Sequence, residues 1–516
     1  MAGGGNINIS ISDGGSASIV VAGSSVQLVI GTCSSGTANQ LVVTRNPATL
    51  LSTFGQGPLV EAAALACLAG GTVIAVKATS ATAGVSSTVT AVGGGTSVIT
   101  VTGTPVDTYY VKVLFLTAGI IGTAGINFQV SLDAGRNYGP ILSLGTASTF
   151  VIGNTGVTLN FSLPGTGTIL AGQTITFGTT EPLWNTAGLL AALNAFQASQ
   201  YAIVGVGSTH IVGAMSGANA TTVQGYLDTL ATGYVYTRSF VSARDASPPT
   251  AYGGTAETDS TWSGLIQTDY ASVAARRLCP AAAYWNMPTA FPNPASTGAP
   301  ALRRSIAWAA AARQVVVPPQ RHVGRVRDGA VAQIVVNPLL DPSDGFVYHD
   351  ERINPGLDYI IAGTGGRFMT TMTRTGLPGV YITNPLTAAP LGSDFFLMPL
   401  GSVMDIFASI VHQVGQQSID DDVRLNANGT IYENDARAIE AIIANSVNTV
   451  MFSQKMISAP VQGGPTASAT GSSIIVDRTN NVKSTSNVNL TGQILSRGYV
   501  LTITATLSFQ NPNAAV

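Results

Sequence analysis

Hydrophobic and polar positions change their period several times along this 516-residue chain. Residues 26–30 form a short apolar run, a turn of small residues follows, and residues 41–43 are apolar again, which reads as two strands. Residues 47–54 and the segment that starts at Pro58 read as helices, separated by the loop Gly55-Gln56-Gly57. Gly70-Gly71 punctuates the second helix, and Val73–Val76 reads as a second core strand. Upstream, Asn6-Ile7-Asn8-Ile9-Ser10-Ile11-Ser12 alternates at period two, with Ile7, Ile9 and Ile11 on one face. Glycines on both sides detach this strand, so it either caps the chain's own sheet or adds to the edge of another subunit's sheet.

From about residue 78 to 180 the pattern becomes short Thr/Val alternations broken by Gly and Asn, as in residues 97–102 and 158–163, which predicts a β-sandwich. Helical spacing returns at Leu189, Leu190, Leu193 and Phe196, followed by an apolar run at 201–206, a helix at 222–230 and a strand at 234–241. His210 and Arg244-Asp245 then fall after strands and read as solvent-facing loop residues. Between 245 and 300 the prolines Pro288, Pro292, Pro294 and Pro300, with Trp262, Tyr270, Tyr284 and Trp285, predict loops. A helix and a strand resume at 301–318. Residues 395–404 and 406–414 are apolar and fit either helix or strand. Residues 433–447 form the clearest amphipathic helix, with Ile439, Ile442, Ile443 and Val447 as its apolar stripe and Glu433, Asp435, Arg437 and Glu440 facing elsewhere. Strands at 474–476 and 488–495 flank a polar connector, and an alternating segment, 498–509, ends the pattern.

Charged residues make up only 9% of the chain, against about 25% in typical globular proteins, and the formal net charge is −2. So neutral a surface favours self-association, and it offers no electrostatic basis for nucleic-acid binding. The one basic cluster, Arg321, His322, Arg325 and Arg327, has Asp328, Asp341, Asp344 and Asp350 near it in sequence and reads as ion pairing. No apolar run reaches transmembrane length, and residues 1–18 lack a basic start and an apolar stretch, so neither membrane insertion nor a signal peptide is expected. Cys33, Cys67 and Cys279 are three, so at least one cannot pair within its chain. They act either as buried apolar residues or as bridges between subunits.

Catalytic patterns are lacking: there is no G-x-S-x-G, Walker A, H-E-x-x-H or complete G-x-G-x-x-G. Asp420-Asp421-Asp422 lacks the spacing of a calcium loop and reads as a solvated turn. Tyr348-His349-Asp350-Glu351-Arg352 mixes a base with carboxylates and reads as a surface loop. No enzyme activity, cofactor or metal is expected.

The opening order, with Gly31-Thr32 ending the first strand, Phe54-Gly55 before the second helix, Glu61–Leu68 within that helix, then Gly70-Gly71 and Val73–Val76, resembles the core domain of contractile-tail sheath proteins of bacteriophages and related injection machines. The resemblance extends to residues 187–241 and to the last 80 or so. It implies an α+β multidomain fold whose α/β core uses N- and C-terminal parts of the chain, with an inserted β-sandwich-like outer domain. The expected parts are an arm at 1–25, core at 26–77, the insert at 78–180, an α/β middle domain at 181–393, C-terminal core at 394–497 and an arm at 498–516.

By the same resemblance the chain would polymerise helically with itself around an inner tail tube protein, contract to drive the tube through the target envelope, and meet baseplate and tail terminator proteins. It would be made in the host bacterial cytoplasm and reside in the virion tail. Ile7, Ile9, Ile11, Val500, Ile503 and Leu507 would be the strand-exchange residues. Glu433, Asp435, Arg437 and Glu440 are the candidate tube contact. A static virion protein (tube, decoration or surface-array subunit) is the alternative. A β-sandwich hydrolase would need an acid/base site that the sequence does not display.

Overall fold

The structure is a computed structural model that describes residues 25–199, 206–245, 257–291, 293, 300–332, 355–363, 365–390, 392–458 and 472–499. The described chain divides into two compact units between Ile406 and Phe407. The class is mixed α/β and multidomain, as the sequence predicts.

The larger unit is built on six strands. β1 (Val26–Gly31) lies between β3 (Thr72–Lys77) and the strand Ser208–Ala214, parallel to both, and Ser239–Ser242 and Leu278–Ala281 extend the parallel set. β2 (Leu41–Thr44) closes the other edge antiparallel to β3. Period two sends Leu28, Ile30, Ile74 and Val76 to one face, where the helices Thr186–Gln197, Gly217–Thr232 and Asp259–Tyr270 cover them. Val29, Val73 and Ala75 point to the opposite face, under α1 (Pro47–Phe54), α2 (Pro58–Leu68) and the helix Ile306–Val316. Burial on both faces explains why these strands read as unbroken apolar runs. The four further strands come from residues 208–281 and β2, and no described strand beyond residue 394 joins this sheet.

The opening unit folds as its pattern predicts. Asn46 caps α1 by accepting the Ala48 amide at 3.0 Å. Thr32, just past β1, accepts the Leu59 amide at 3.1 Å, which satisfies one of the open donors at the start of α2. Gly57, at φ +130°, turns the chain into α2, where a Cβ would press on the Val106 carbonyl at 3.0 Å.

Residues 80–178 carry two larger antiparallel sheets beside the two-stranded ladder Gly119–Ile120/Thr168–Ile169. One has the order Leu142–Ser143, Asn127–Ser131, Tyr110–Phe115, Thr174–Gly178, Thr90–Val92, and the other Thr149–Val151, Val157–Phe161, Ile99–Gly103. They share a core of Val111, Val113, Phe115, Phe128, Leu159 and Phe177.

Several local expectations change. His210 lies inside the strand Ser208–Ala214 and is 1% exposed, so it is a core residue and not a loop residue. Of the apolar run at 201–206 only Val206 lies within the described residues. The strand expected at 234–241 is confined to Ser239–Ser242. The stretch read as loops after residue 245 contains the helix Asp259–Tyr270, whose Trp262 and Tyr270 are buried. It also contains the strand Leu278–Ala281, which tolerates Pro280 because it lies at the sheet edge. The two apolar segments after residue 395 are one helix, Met398–Gly415. In the smaller unit the helix Glu433–Val447 packs on the hairpin Ser472–Val476/Leu490–Ile494 through Ala436, Ile439, Val476 and Leu490. Ile442, placed in its apolar stripe, is 48% exposed.

Gly71 sits where a methyl group would lie 1.9 Å from Val315 Cγ1 on the Ile306–Val316 helix. Gly71→Ala is expected to cost about 1–3 kcal/mol through overpacking. The Gly71→Ala/Val315→Ala chain should lose less than the sum of the two single changes. Urea denaturation of the four chains measures this, and strict additivity would show that Val315 is not what the added methyl meets.

Candidate functional site

Between residues 78 and 180 the acids are Asp107 and Asp133, and both converge on the strand Ala301–Ser305. Both are buried. Asp107 takes the Arg304 guanidinium in a two-pronged pair at 2.8 and 2.6 Å. Asp133 accepts the Ala301 amide at 3.1 Å, and is itself aimed by the Ser131 hydroxyl at 2.8 Å and the Asn137 side-chain amide at 2.7 Å. Leu302, between them, enters the β-rich core. Arg304 also lies 4.7 Å above the Trp308 ring. The β-rich region is thus seated by two carboxylates and a leucine on one short strand, which pairs antiparallel with Tyr284–Pro288 in a two-stranded ladder of its own.

Around this seat sit further ionisable groups. Glu61 on α2 accepts the Ala290 amide at 2.7 Å, and burial pushes its carboxyl up to about 7 against the pull of Arg304. Glu181 is half-buried, and burial with help from Asp107 pushes its carboxyl up to about 7 as well. It faces a cavity of ≈ 220 Å³ lined also by Asp245, Tyr284, Arg303, Arg304 and Trp308. Arg303 is paired with Asp245.

A second buried network holds the far side of the sheet. Asp405 accepts from Arg238 Nε at 2.6 Å and from Arg277 Nη1 at 2.9 Å, with both arginine side chains 2% exposed. Arg277 reaches Asp228 at 3.2 Å, and its amide donates to Gln224 at 2.8 Å. Gly401 makes room for Arg238, whose Nη1 would lie 2.0 Å from a Cβ there. Sequence reasoning missed both networks. The available signal was the pair of arginine doublets, Arg276-Arg277 and Arg303-Arg304, in a chain so poor in charge.

The residues singled out from sequence fall as follows. Ile7, Ile9, Ile11, Val500, Ile503 and Leu507 lie outside the described residues, as does the Tyr348–Arg352 cluster. On the Glu433–Val447 helix, Glu433 and Glu440 both hold Arg478, Arg437 adds to Glu433, and Asp435 holds Arg424 at 2.5 Å. Hydrogen bonds from Arg478 and then Arg437 hold the Glu433 carboxyl down to about 2. Cys33, Cys67 and Cys279 are buried and free, and burial pushes the first two thiols up to about 12 and about 11. Arg321 and Arg325 lie 3.8 and 3.5 Å from Asp328, the ion pairing expected of the basic cluster. Arg244 pairs with Glu257. Among the described residues no group of side chains is arranged to hold a metal ion, and no helix is long and apolar enough to cross a membrane.

This mixed α/β multidomain chain matches the family described as DUF2586, N-terminal domain, over residues 5–385, and it belongs to that family. Among curated proteins none matches the sequence. Among solved structures it is similar to a sheath tail protein from Desulfitobacterium hafniense, at 11% identity and a TM-score of 0.42, with 96% of this chain and 100% of that chain covered. It is similar also to a sheath tail protein from Listeria innocua, at 12% identity and a TM-score of 0.39, with 92% and 95% covered.

Asp405→Asn would take the carboxylate from buried Arg238 and leave buried Arg277 with Asp228 alone, so a loss of about 3–5 kcal/mol is expected in chemical denaturation. His210 sets an acid limit. It is buried edge-on to Trp308, its Nε2 has no hydrogen-bond partner, and burial pushes its imidazole down to about 3. The unfolded chain takes up this proton near pH 6.5, so its contribution to stability is present above about 6.5 and is lost as the pH falls towards 3. Thermal melting across that range should show a shallower acid limb in His210→Phe than in the parent.

Proposed function

We propose that this chain is a structural subunit of a contractile tail sheath, which polymerises helically around an inner tube and contracts to drive that tube through a target cell envelope. The observation that carries the reading is the opening unit. Its strand ending in Gly31-Thr32, the Phe54-Gly55 turn, the helix Pro58–Leu68 and the strand after Gly70-Gly71 sit together at the centre of the larger unit's sheet. Those are the residues in which the sequence resembles the core of sheath proteins. A second support is the hairpin Ser472–Val476/Leu490–Ile494, which has no third strand among the described residues. Edges that are unpaired among the described residues offer backbone donors and acceptors to a strand from a neighbouring subunit.

In this reading the arms at residues 1–25 and 498–516 supply the exchanged strands, with Ile7, Ile9, Ile11, Val500, Ile503 and Leu507 as their apolar anchors. Glycine-rich flanks let subunits rotate while the ladder stays intact, and the extended sleeve is the higher of two packings. The role is structural and not catalytic. The partners are further copies of the chain, the tube protein, and baseplate and terminator proteins, in a virion tail assembled in the bacterial cytoplasm. The Glu433, Asp435, Arg437 and Glu440 face remains the candidate for tube contact, with its charges already balanced by Arg424 and Arg478.

Negative-stain electron microscopy of the full-length protein, alone and with its tube protein, is expected to show hollow striated cylinders. Dispersed particles under every condition would overturn the sheath reading, and rigid sleeves of one fixed length per subunit would favour a static tube. Deletion of residues 1–15 or 498–516 is expected to leave a folded monomer that no longer polymerises. Normal sleeves from either truncation would refute strand exchange.

A further inference from the structure

We propose that the seat of the β-rich region on the strand Ala301–Ser305 is a proton-controlled joint, closed while Glu61 and Glu181 are neutral and loosened when they ionise. The basis is a charge imbalance around the buried Asp107–Arg304 pair. Two guanidiniums, Arg303 and Arg304, lie among four carboxylates: Asp245 and Asp107 are paired with them, Glu181 lines the same cavity, and Glu61 feels the field of Arg304. Each guanidinium is already committed to an aspartate through two hydrogen bonds. The two glutamates are the surplus. Glu61, 7% exposed, has one backbone amide for a partner, and Glu181 looks into the cavity beside Tyr284 and Trp308. Among the described residues, burial pushes the neighbouring phenols of Tyr109 and Tyr284 well up, so they stay neutral throughout, while Tyr110 also lines the cavity and Arg244, paired with Glu257, acts on Asp245.

Ionisation here acts on the joint itself. Asp107 is both the carboxylate that repels Glu61 and Glu181 and the one that ties the β-rich region to Arg304. A new negative charge competes for the same guanidinium in a medium that screens poorly. The ≈ 220 Å³ cavity, with walls from the β-rich region (Thr108, Tyr110) and from the α/β layer (Ser305, Trp308), gives water a place to enter as the contact loosens. The sign follows from linkage. A carboxyl whose folded value is raised holds its proton more tightly when the joint is closed. The stabilisation is full below about pH 4.5 and is lost as the pH rises through about 7. For each glutamate the opening constant rises by up to about tenfold per pH unit across that window.

Amide hydrogen exchange on the full chain tests this, with rates corrected for the intrinsic effect of pH. Peptides covering residues 107–115 and 301–305 are expected to lose protection by at least about tenfold between roughly pH 5 and 8, while the β1 peptide, 26–31, keeps its own. In Glu61→Gln/Glu181→Gln the seat should stay protected at both pH values. Equal protection of the parent at both pH values overturns the proposal, and so does the same loss in the glutamine variant. The parent comparison needs no variant, so it decides even where the double change prevents folding, and Glu61→Gln alone then serves as the second chain.

Discussion

Removing an arginine and a carboxylate from water together costs several kcal/mol before their attraction returns any of it, and the larger unit of this protein does so repeatedly. Arg304 with Asp107, and Arg238 and Arg277 with Asp405, have side chains at most 8% exposed. Such pairs are weak arguments for stability, but each is tolerable in one geometry only. Arg304 has to lie over Trp308 and under Asp107, and Arg238 has to occupy the space that Gly401 leaves free. The pairs therefore fix which surfaces meet: the β-rich region against the strand Ala301–Ser305, and the sheet against the start of the helix Met398–Gly415.

The choice of cation follows from that task. Nineteen of the 23 basic residues are arginine. A planar guanidinium can grip a carboxylate with two bonds and stack on an aromatic ring at once, which an ammonium group cannot do. A chain with 9% charged residues thus commits many of them to its interior. What is left outside is a surface of Ser, Thr, Gly and small apolar groups with little self-repulsion, suited to packing against further copies. In the proposed sheath, tightness within a subunit and neutrality between subunits would be complementary, because subunits that rotate as bodies must not come apart internally.

Local order was legible where period and punctuation agreed. β1, α1, α2 and β3 follow from apolar runs bounded by Pro and Gly, and the Glu433–Val447 helix from its spacing and acidic first turn. Legibility failed where a signal was borrowed from its surroundings. The helix Asp259–Tyr270 is mostly polar, and it is held by Trp262 and Tyr270 inserting into a core formed elsewhere. The density of prolines after residue 287 coloured the reading of the residues before it. Ile442 obeys helical spacing and is still 48% exposed, while Ala436 and Ile439 pack with Val476 and Leu490 of the hairpin.

By itself the sequence determined the mixed α/β class, the opening unit and the Thr- and Val-rich strands, since each depends on neighbours within about a dozen residues. Only the tertiary structure decided the candidate site. Glu61, Asp107, Glu181 and Arg304 come from four distant parts of the chain, and none is distinctive where it stands. Their meaning arises from shared burial, because a charge becomes costly, and so informative, only once the fold has taken water away from it.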